Sequence, residues 1–306
     1  MYELRRRRWL LAALAAVAML GAACGGGETT PTDTGGGEED AMEKFPAGST
    51  MAKLQERGTI TVGVKYDVPL FGFKNPQSGE VEGFDVDLAQ RVADELGVEL
   101  ELKEAISDNR IPFLQDGTVD LVFSTMTITT DRDADIDFSR PYYIAHGRIL
   151  TAGDSGIEDV KDLTADTTVC TALDSTYETT VLPKQAPDAE VKTPDTYSEC
   201  FAQLQRGSVD ALVTDDVILA GFLQQDESMA IVGPDLTTDP YGAGIKEGDT
   251  EFADFVSGVL DETLEDGTWQ ELFDKWLGQY TGQEAEDPAP WTLEQALETY
   301  PCVETC

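Results

Sequence analysis

The sequence predicts an α/β fold of two similar lobes, each a mostly parallel sheet flanked by helices, with two crossings of the chain between them. Three observations carry that prediction. Strand-like and helix-like runs alternate, the pattern of a largely parallel sheet. The run Leu114-Gln115-Asp116-Gly117-Thr118-Val119-Asp120 returns as Leu204-Gln205-Arg206-Gly207-Ser208-Val209-Asp210. Each copy is a helix end, a glycine, a polar residue, Val-Asp and a buried strand, set within the same order of elements. Amphipathic helices beyond residue 250 then return the chain to the first lobe.

Taken in order, the chain opens on a leader. Arg5 to Arg8 is basic and Trp9 to Ala23 is apolar. A membrane span takes ~20 apolar residues, so this shorter run suits a signal peptide over residues 1–23. Gly21-Ala22-Ala23-Cys24 resembles a bacterial lipobox, although Leu20 stands one place farther from the cysteine than usual. That resemblance implies acylation of Cys24 and anchoring to the outer face of the cell membrane, with Sec and twin-arginine export both open. Residues 24–50 are rich in Gly, Thr, Pro and acid and read as a flexible linker.

The first lobe is assigned to residues 51–145 plus 246–280. Thr59 to Val64 is a strand. Asp85 is positioned to cap a helix whose Leu88, Val92 and Leu96 recur every four residues before Gly97. Val98 to Leu102 alternates, a short helix covers Ile111 to Gln115, and Val119 to Phe123 is a buried strand. The second lobe, 146–245, repeats the scheme: strand Thr167 to Thr171, a helix opening near Ser175, and a Thr196/Glu199 capping box ahead of Phe201 and Leu204. The strand Val209 to Val213 completes it. Crossings are expected near Ile144–Thr151 and Tyr241–Lys246. Phe252, Phe255, Val256, Val259, Leu260 and Leu264 form a helical stripe up to Gly267, and Thr268 with Glu271 caps a last helix. Residues 281–306 form a tail in which Trp291 and Leu293 are the candidates to pack back on the domain.

Composition narrows the function. Against 59 acids there are 21 bases, a net charge of −38, so nucleic acid, bound through cationic contacts to phosphate, is excluded as a partner. Beyond Cys24, four cysteines remain (Cys170, Cys200, Cys302 and Cys306), an even number suited to an oxidising compartment. They permit three pairings. Cys170–Cys200, between a strand and a helix start, with Cys302–Cys306 closing the tail, is the preferred one. The single histidine, His146, and the lack of any C-x-x-C argue against a metal site, and they leave little material for a Ser-His-Asp catalyst.

Several runs then resemble a known family in order and spacing. They are Gly63-Val64-Lys65-Tyr66-Asp67-Val68-Pro69, Gly83-Phe84-Asp85-Val86-Asp87-Leu88-Ala89, Thr125-Met126-Thr127-Ile128-Thr129-Thr130-Asp131-Arg132, Asp137-Phe138-Ser139-Arg140-Pro141-Tyr142-Tyr143, and Asp266-Gly267-Thr268 with Lys275-Trp276-Leu277-Gly278. Over roughly residues 54–280 the chain resembles the polar-amino-acid solute-binding proteins of ABC importers (family 3 type). The fold thereby implied is the type II periplasmic-binding-protein fold. Cys170, Cys200, Thr196-Tyr197-Ser198-Glu199-Cys200 and Thr214-Asp215-Asp216 resemble the actinobacterial glutamate-binding lipoproteins within it.

The resemblance implies a carrier and not an enzyme, with no cofactor, a permease as partner, and a monomer that closes on its ligand. An amino acid brings a carboxylate and an ammonium, and a closed cleft must pair both. Arg132 is placed to take the α-carboxylate in a two-pronged contact, with Thr127 and the Thr125 backbone completing the cradle. Asp215 is placed to take the ammonium, with Asp216 beside it as a helix cap. Ser175 and Thr176, after Asp174, stand where a helix N-terminus aims amides at an anion, and serve equally as a cap. Lys65 and Arg110, in Asn109-Arg110-Ile111-Pro112, imply an acidic side chain: glutamate or aspartate ahead of glutamine or asparagine. A dehydratase-like enzyme on the same fold is the alternative.

Overall fold

In the computed structural model the described residues are 45–278 and 286–300; the leader, Cys24, the linker to residue 44, and Cys302 and Cys306 lie outside them. The chain packs sooner than its composition suggests. Phe45 meets Phe255 edge-on at 5.3 Å, and helix α1 (Thr50–Arg57), capped by Ser49, buries Met51 and Leu54. Strands β1 (Thr59–Val64), β2 (Asp67–Val68), β3 (Gly72–Lys74) and β4 (Val81–Glu82) follow, the last three as a small antiparallel sheet.

Helix α2 (Phe84–Leu96) buries Leu88, Val92 and Leu96 and stops at left-handed Gly97. Its start departs from the sequence reading. Gly83 holds the cap position, where a β-carbon would collide with the Phe71 carbonyl. Asp85 therefore falls inside the first turn, fully buried, instead of capping the helix. Strand β5 (Glu99–Glu104) pairs parallel with β1. After α3 (Arg110–Asp116), β6 (Leu121–Val122) pairs with β1 on its other side. Helix α4 (Thr130–Asp133) is a single turn, and β7 (Ile136–Ala152) runs 17 residues.

The second lobe holds β8 (Thr168–Cys170), a π turn over Tyr177–Val181 into α5 (Leu182–Gln185), β9 (Glu190–Lys192), α6 (Tyr197–Gln205), β10 (Ala211–Asp215), α7 (Asp216–Leu223) and β11 (Met229–Val232). Thr196 accepts from the Glu199 amide at 3.3 Å, which is the Thr196 half of the capping box its sequence predicted. A disulfide joins Cys170 at the end of β8 to Cys200 on α6, with Cα atoms 5.5 Å apart. Strand β12 (Thr238–Lys246) returns to the first lobe, followed by α8 (Thr250–Glu265), α9 (Thr268–Trp276) and α10 (Leu293–Thr299).

One path of hydrogen-bonded strands runs β5-β1-β6-β12-β7-β10-β8-β9, with β11 on β7. The crossings lie in β7 and β12. β7 pairs with β12 as far as His146 and with β10 from Gly147 onward. The Leu236 amide binds the Gly147 carbonyl at 2.8 Å, while the Ile128 amide binds the Pro240 carbonyl at 2.8 Å. The second crossing thus falls at 237–240, just before the stretch expected from sequence.

The repeated turn has a common physical basis. Gly117 and Gly207 take φ of 76° and 64°, the left-handed helix end that glycine allows. Asp120 accepts from the Thr61 amide at 2.8 Å and Asp210 from the Thr168 amide at 2.7 Å. Each aspartate clamps a strand onto the first strand of its own lobe. At α9 the expectation fails, since Gly267, not Thr268, holds the cap position without a side-chain cap bond, while Asp266 before it accepts from the Thr268 amide at 2.8 Å. Nor is α9 the last helix. The tail helix α10 sets Leu293, Ala296 and Leu297 against Leu114, Ile136 and Phe138.

Candidate functional site

Loops at the ends of β1 and β6, with α3 and α4, build one wall from the first lobe. Lys65 follows β1 and is 1% exposed. Its Nζ donates to Ser107 Oγ at 2.7 Å and lies 5.4 Å from the ring of Tyr197 in the second lobe. Arg110 is equally buried. Its Nε donates to the Ser107 carbonyl at 3.1 Å, and Nη1 donates to those of Ser124 and Thr125 at 2.9 and 3.3 Å.

Thr125 sits at φ 44°, a left-handed conformation that costs a β-branched residue about 1–3 kcal/mol. What holds it is the bond from its amide to Asp85 Oδ2 at 2.9 Å, which is the work of the acid expected to cap α2. Thr125 Oγ1 is buried and without a partner among the described residues. Arg132 has its amide capped by Thr129 Oγ1 at 3.2 Å. Its Nη1 donates to the Thr127 carbonyl at 2.9 Å, and its Nη2 reaches across to the Asp174 carbonyl at 3.1 Å.

The second wall comes from the other lobe and the crossing strands. Asp174 also has a positive φ, 57°. Ser175 Oγ meets Thr171 Oγ1 at 3.1 Å and accepts from the Glu178 amide at 3.2 Å, the capping role its sequence allowed. Thr176 is buried beside it. Asp215 ends β10 and accepts from Tyr177 OH at 2.8 Å. Asp216 accepts from the His146 amide at 3.1 Å, tying α7 to β7.

The residue that sequence reasoning missed is Asp239, fully buried on β12. It accepts from Tyr300 OH at 2.7 Å, Tyr177 OH at 3.2 Å, Thr127 Oγ1 at 3.4 Å and the Thr237 hydroxyl. An acid standing alone in the buried run Thr238-Asp239-Pro240-Tyr241-Gly242-Ala243 was the available signal, because such a group must be paired.

Burial sets the electrostatics. It pushes the Lys65 ammonium down to about 7, helped by Arg110 beside it. Arg110 is lowered to about 10 by burial and then by Arg132, which burial itself lowers. Asp85 is raised to about 7 by burial, against the hydrogen bonds from Thr125 and Tyr142. Asp215 is pushed well above the usual carboxylate range by burial and then by Asp239, itself raised by burial. Three cations on one side thus face two crowded carboxylates on the other.

The lobes are drawn together around this pair of walls. Asp67 of the first lobe accepts from the Ser198 amide at the start of α6 at 3.2 Å. A β-carbon on Gly221 of α7 would lie 2.7 Å from the Pro69 carbonyl. A cavity of about 210 Å³ opens beside Arg132, rimmed by Asp174, Thr176 and Tyr300, with Lys65, Arg110 and Asp215 outside its lining. Among the described residues no cluster of three or more His, Cys, Asp or Glu is arranged to hold a metal. The arrangement suits a small molecule that carries separated negative and positive charge.

Residues 60–279 match the family described as bacterial extracellular solute-binding proteins, family 3. The ABC transporter glutamine-binding protein of Bacillus subtilis (strain 168) is 38% identical over 243 residues, covering 78% of this chain and 86% of that protein. The glutamate-binding protein of Corynebacterium glutamicum is 35% identical over 238 residues, 73% of this chain and 80% of that one. Among solved structures, an ancestral arginine-binding protein bound to glutamine aligns with a TM-score of 0.68 and 39% identity, over 72% of this chain and 99% of that chain.

Proposed function

The chain belongs to the bacterial extracellular solute-binding proteins of family 3, and on that premise we propose that it is the amino-acid receptor of an ATP-driven importer. The observation that carries this reading is the separation of charge across the cleft. Arg132, with Thr127 and the Thr125 backbone, receives the α-carboxylate. Asp215 receives the ammonium. Thr176 and the turn at Ser175 close the carboxylate side from the second lobe.

Lys65, its ammonium lowered to about 7, and the Arg110 guanidinium lie beyond these groups, both buried. Their charge is best answered by an acidic side chain, so glutamate, or aspartate, is the ligand this geometry favours. Glutamine is the second reading, supported by the glutamine-binding relative and the glutamine-bound structure. The Bacillus subtilis relative is the binding protein of an ABC transporter, and this chain is read likewise as a carrier without turnover. Anchored through Cys24, a monomer would close on its ligand and dock on a permease.

Calorimetric titration of residues 25–306 with glutamate, aspartate, glutamine, asparagine and arginine tests the reading. Submicromolar binding of glutamate is expected. Tight binding of glutamine alone removes the acidic side chain from the account, and no binding at all removes the receptor.

A further inference from the structure

The tail lies outside the span that matches the family, yet it reaches the centre of the molecule. Its helix α10 is seated by Leu293, Ala296 and Leu297, and the chain before and after that helix follows both crossings. Arg140 on β7 donates through Nη2 to the carbonyls of Pro288 at 2.8 Å, Ala289 at 3.0 Å and Trp291 at 3.3 Å. His146, the last β7 residue paired with β12, has Nε2 3.2 Å from Glu286. The Tyr300 carbonyl accepts from the Thr130 amide at 3.2 Å and its hydroxyl at 2.9 Å, at the first residue of the turn that carries Arg132. The Tyr300 side chain then runs inward, and its hydroxyl donates to Asp239.

We propose that residues 286–300 form a strap along the two crossings, and that Tyr300 is a positioning residue that prepares the paired carboxylates Asp215 and Asp239 for the ligand's ammonium. The inference rests on the receptor reading given above and extends it to a segment outside the family's span. Counting donors shows why a tyrosine is needed. Tyr177 has one proton and lies within reach of both Asp215 and Asp239. With Tyr300 donating to Asp239 Oδ1 at 2.7 Å, beside a longer 3.4 Å bond from Thr127, and Thr237 donating to Oδ2, the Tyr177 proton is free for Asp215. Without Tyr300, Asp239 competes for that proton or takes one from solvent, and the negative charge facing the ammonium falls.

The groups facing this pair are Tyr177 from the π turn, Tyr197 from α6, Thr237 and Tyr241 from the β12 segment, Thr127 from the first lobe, Asp216 behind Asp215, and Tyr300. Lys65 and Arg132 act on Asp215 from the opposite wall. The hydrogen bond from Tyr300 favours ionised Asp239. Its loss therefore raises the pH at which the carboxylates protonate, and the acid limb of binding moves upward.

The test uses Tyr300→Phe and a chain ending at residue 285, each beside the unmodified protein. Affinity for the amino acid that the unmodified protein binds is measured from pH 5 to 8. Amide exchange is followed at Thr130 and in 238–242 without ligand. Tyr300→Phe is expected to weaken binding at pH 7 about five- to tenfold, within the range of one ordinary hydrogen bond lost, and to shift the acid limb to higher pH. The shorter chain is expected to exchange faster at Thr130 and 238–242 while β1 is unchanged. An equal loss of affinity at every pH would reduce Tyr300 to packing and overturn its positioning role. Unchanged exchange in the shorter chain would overturn the strap. If the unmodified protein binds no amino acid, the receptor reading fails, and exchange still judges the strap.

Discussion

The two walls of the cleft bury charge by different means. On the first-lobe wall, Arg110 and Arg132 are held mainly by backbone carbonyls, and a guanidinium keeps its proton at any ordinary pH. On the opposite wall, Asp215 and Asp239 are held by hydroxyls of Tyr177, Tyr300, Thr237 and Thr127, and both carboxylates are pushed up by burial. The first wall is a fixed charge and the second a titrating one. Lys65, lowered to about 7, is the titrating member of the fixed side. The zwitterion proposed as ligand would settle both walls at once, which is the use such costly burial would have in a receptor.

The contrast can be broken from either side. Arg132→Ala should have the largest effect, because a buried carboxylate would face no partner: a loss of about 3–5 kcal/mol, or roughly two to four orders of magnitude in Kd by calorimetry. Asp215→Asn should weaken binding about ten- to a hundredfold and at the same time stabilise the unliganded protein. The sign follows from linkage. The folded pKa of Asp215 lies above its unfolded value, so ionising it as pH rises through that folded pKa removes stability, and asparagine avoids the loss. A Tm raised by a few degrees at pH 7–8, with binding impaired, is expected from thermal unfolding.

Lys65 sharpens the comparison. An anionic side chain raises its pKa in the complex, so glutamate affinity should decline as pH climbs above about 7, with proton uptake visible in buffers of different ionisation heat. Lys65→Met should cost glutamate about tenfold and flatten that dependence, while glutamine affinity changes less. The smallest effect is expected at Gly221, which meets Pro69 across the cleft. Gly221→Ala should weaken ligand binding severalfold by obstructing closure, while the helix gains up to about 0.5–1 kcal/mol from losing a glycine. Denaturant unfolding without ligand, set beside titration, separates the two.

Much of this was legible because local rules and tertiary structure agreed. The Gly-x-Val-Asp turn announced itself twice, and the stripes of α2 and α8 fixed their buried faces. Arg132, Arg110, Lys65, Thr125, Thr127, Ser175, Thr176 and Asp215 all come to the cleft walls. What was not legible depended on contacts distant in sequence. Asp85 has the identity and position of a cap, but the close passage at Phe71 starts the helix earlier and turns the acid toward Thr125, 40 residues away. Asp239 takes hydroxyls from three segments distant in sequence, those of Tyr300, Tyr177 and Thr127, besides the nearby Thr237. Tyr300 is 61 residues from the acid it meets, beyond the reach of periodicity or turn chemistry. Trp291 and Leu293 were the residues expected to pack back, whereas the face that does so is Leu293, Ala296 and Leu297.

The most direct test removes the ligand's charges one at a time. The amino acid bound most tightly is titrated beside its N-acetyl form, which lacks the ammonium, and its α-carboxamide, which lacks the carboxylate. Each derivative is expected to lose at least about a hundredfold in affinity, with the N-acetyl form no longer improved by the Asp215 side chain. Binding of either derivative as tightly as the parent would contradict a cleft built to hold a zwitterion between two opposed walls.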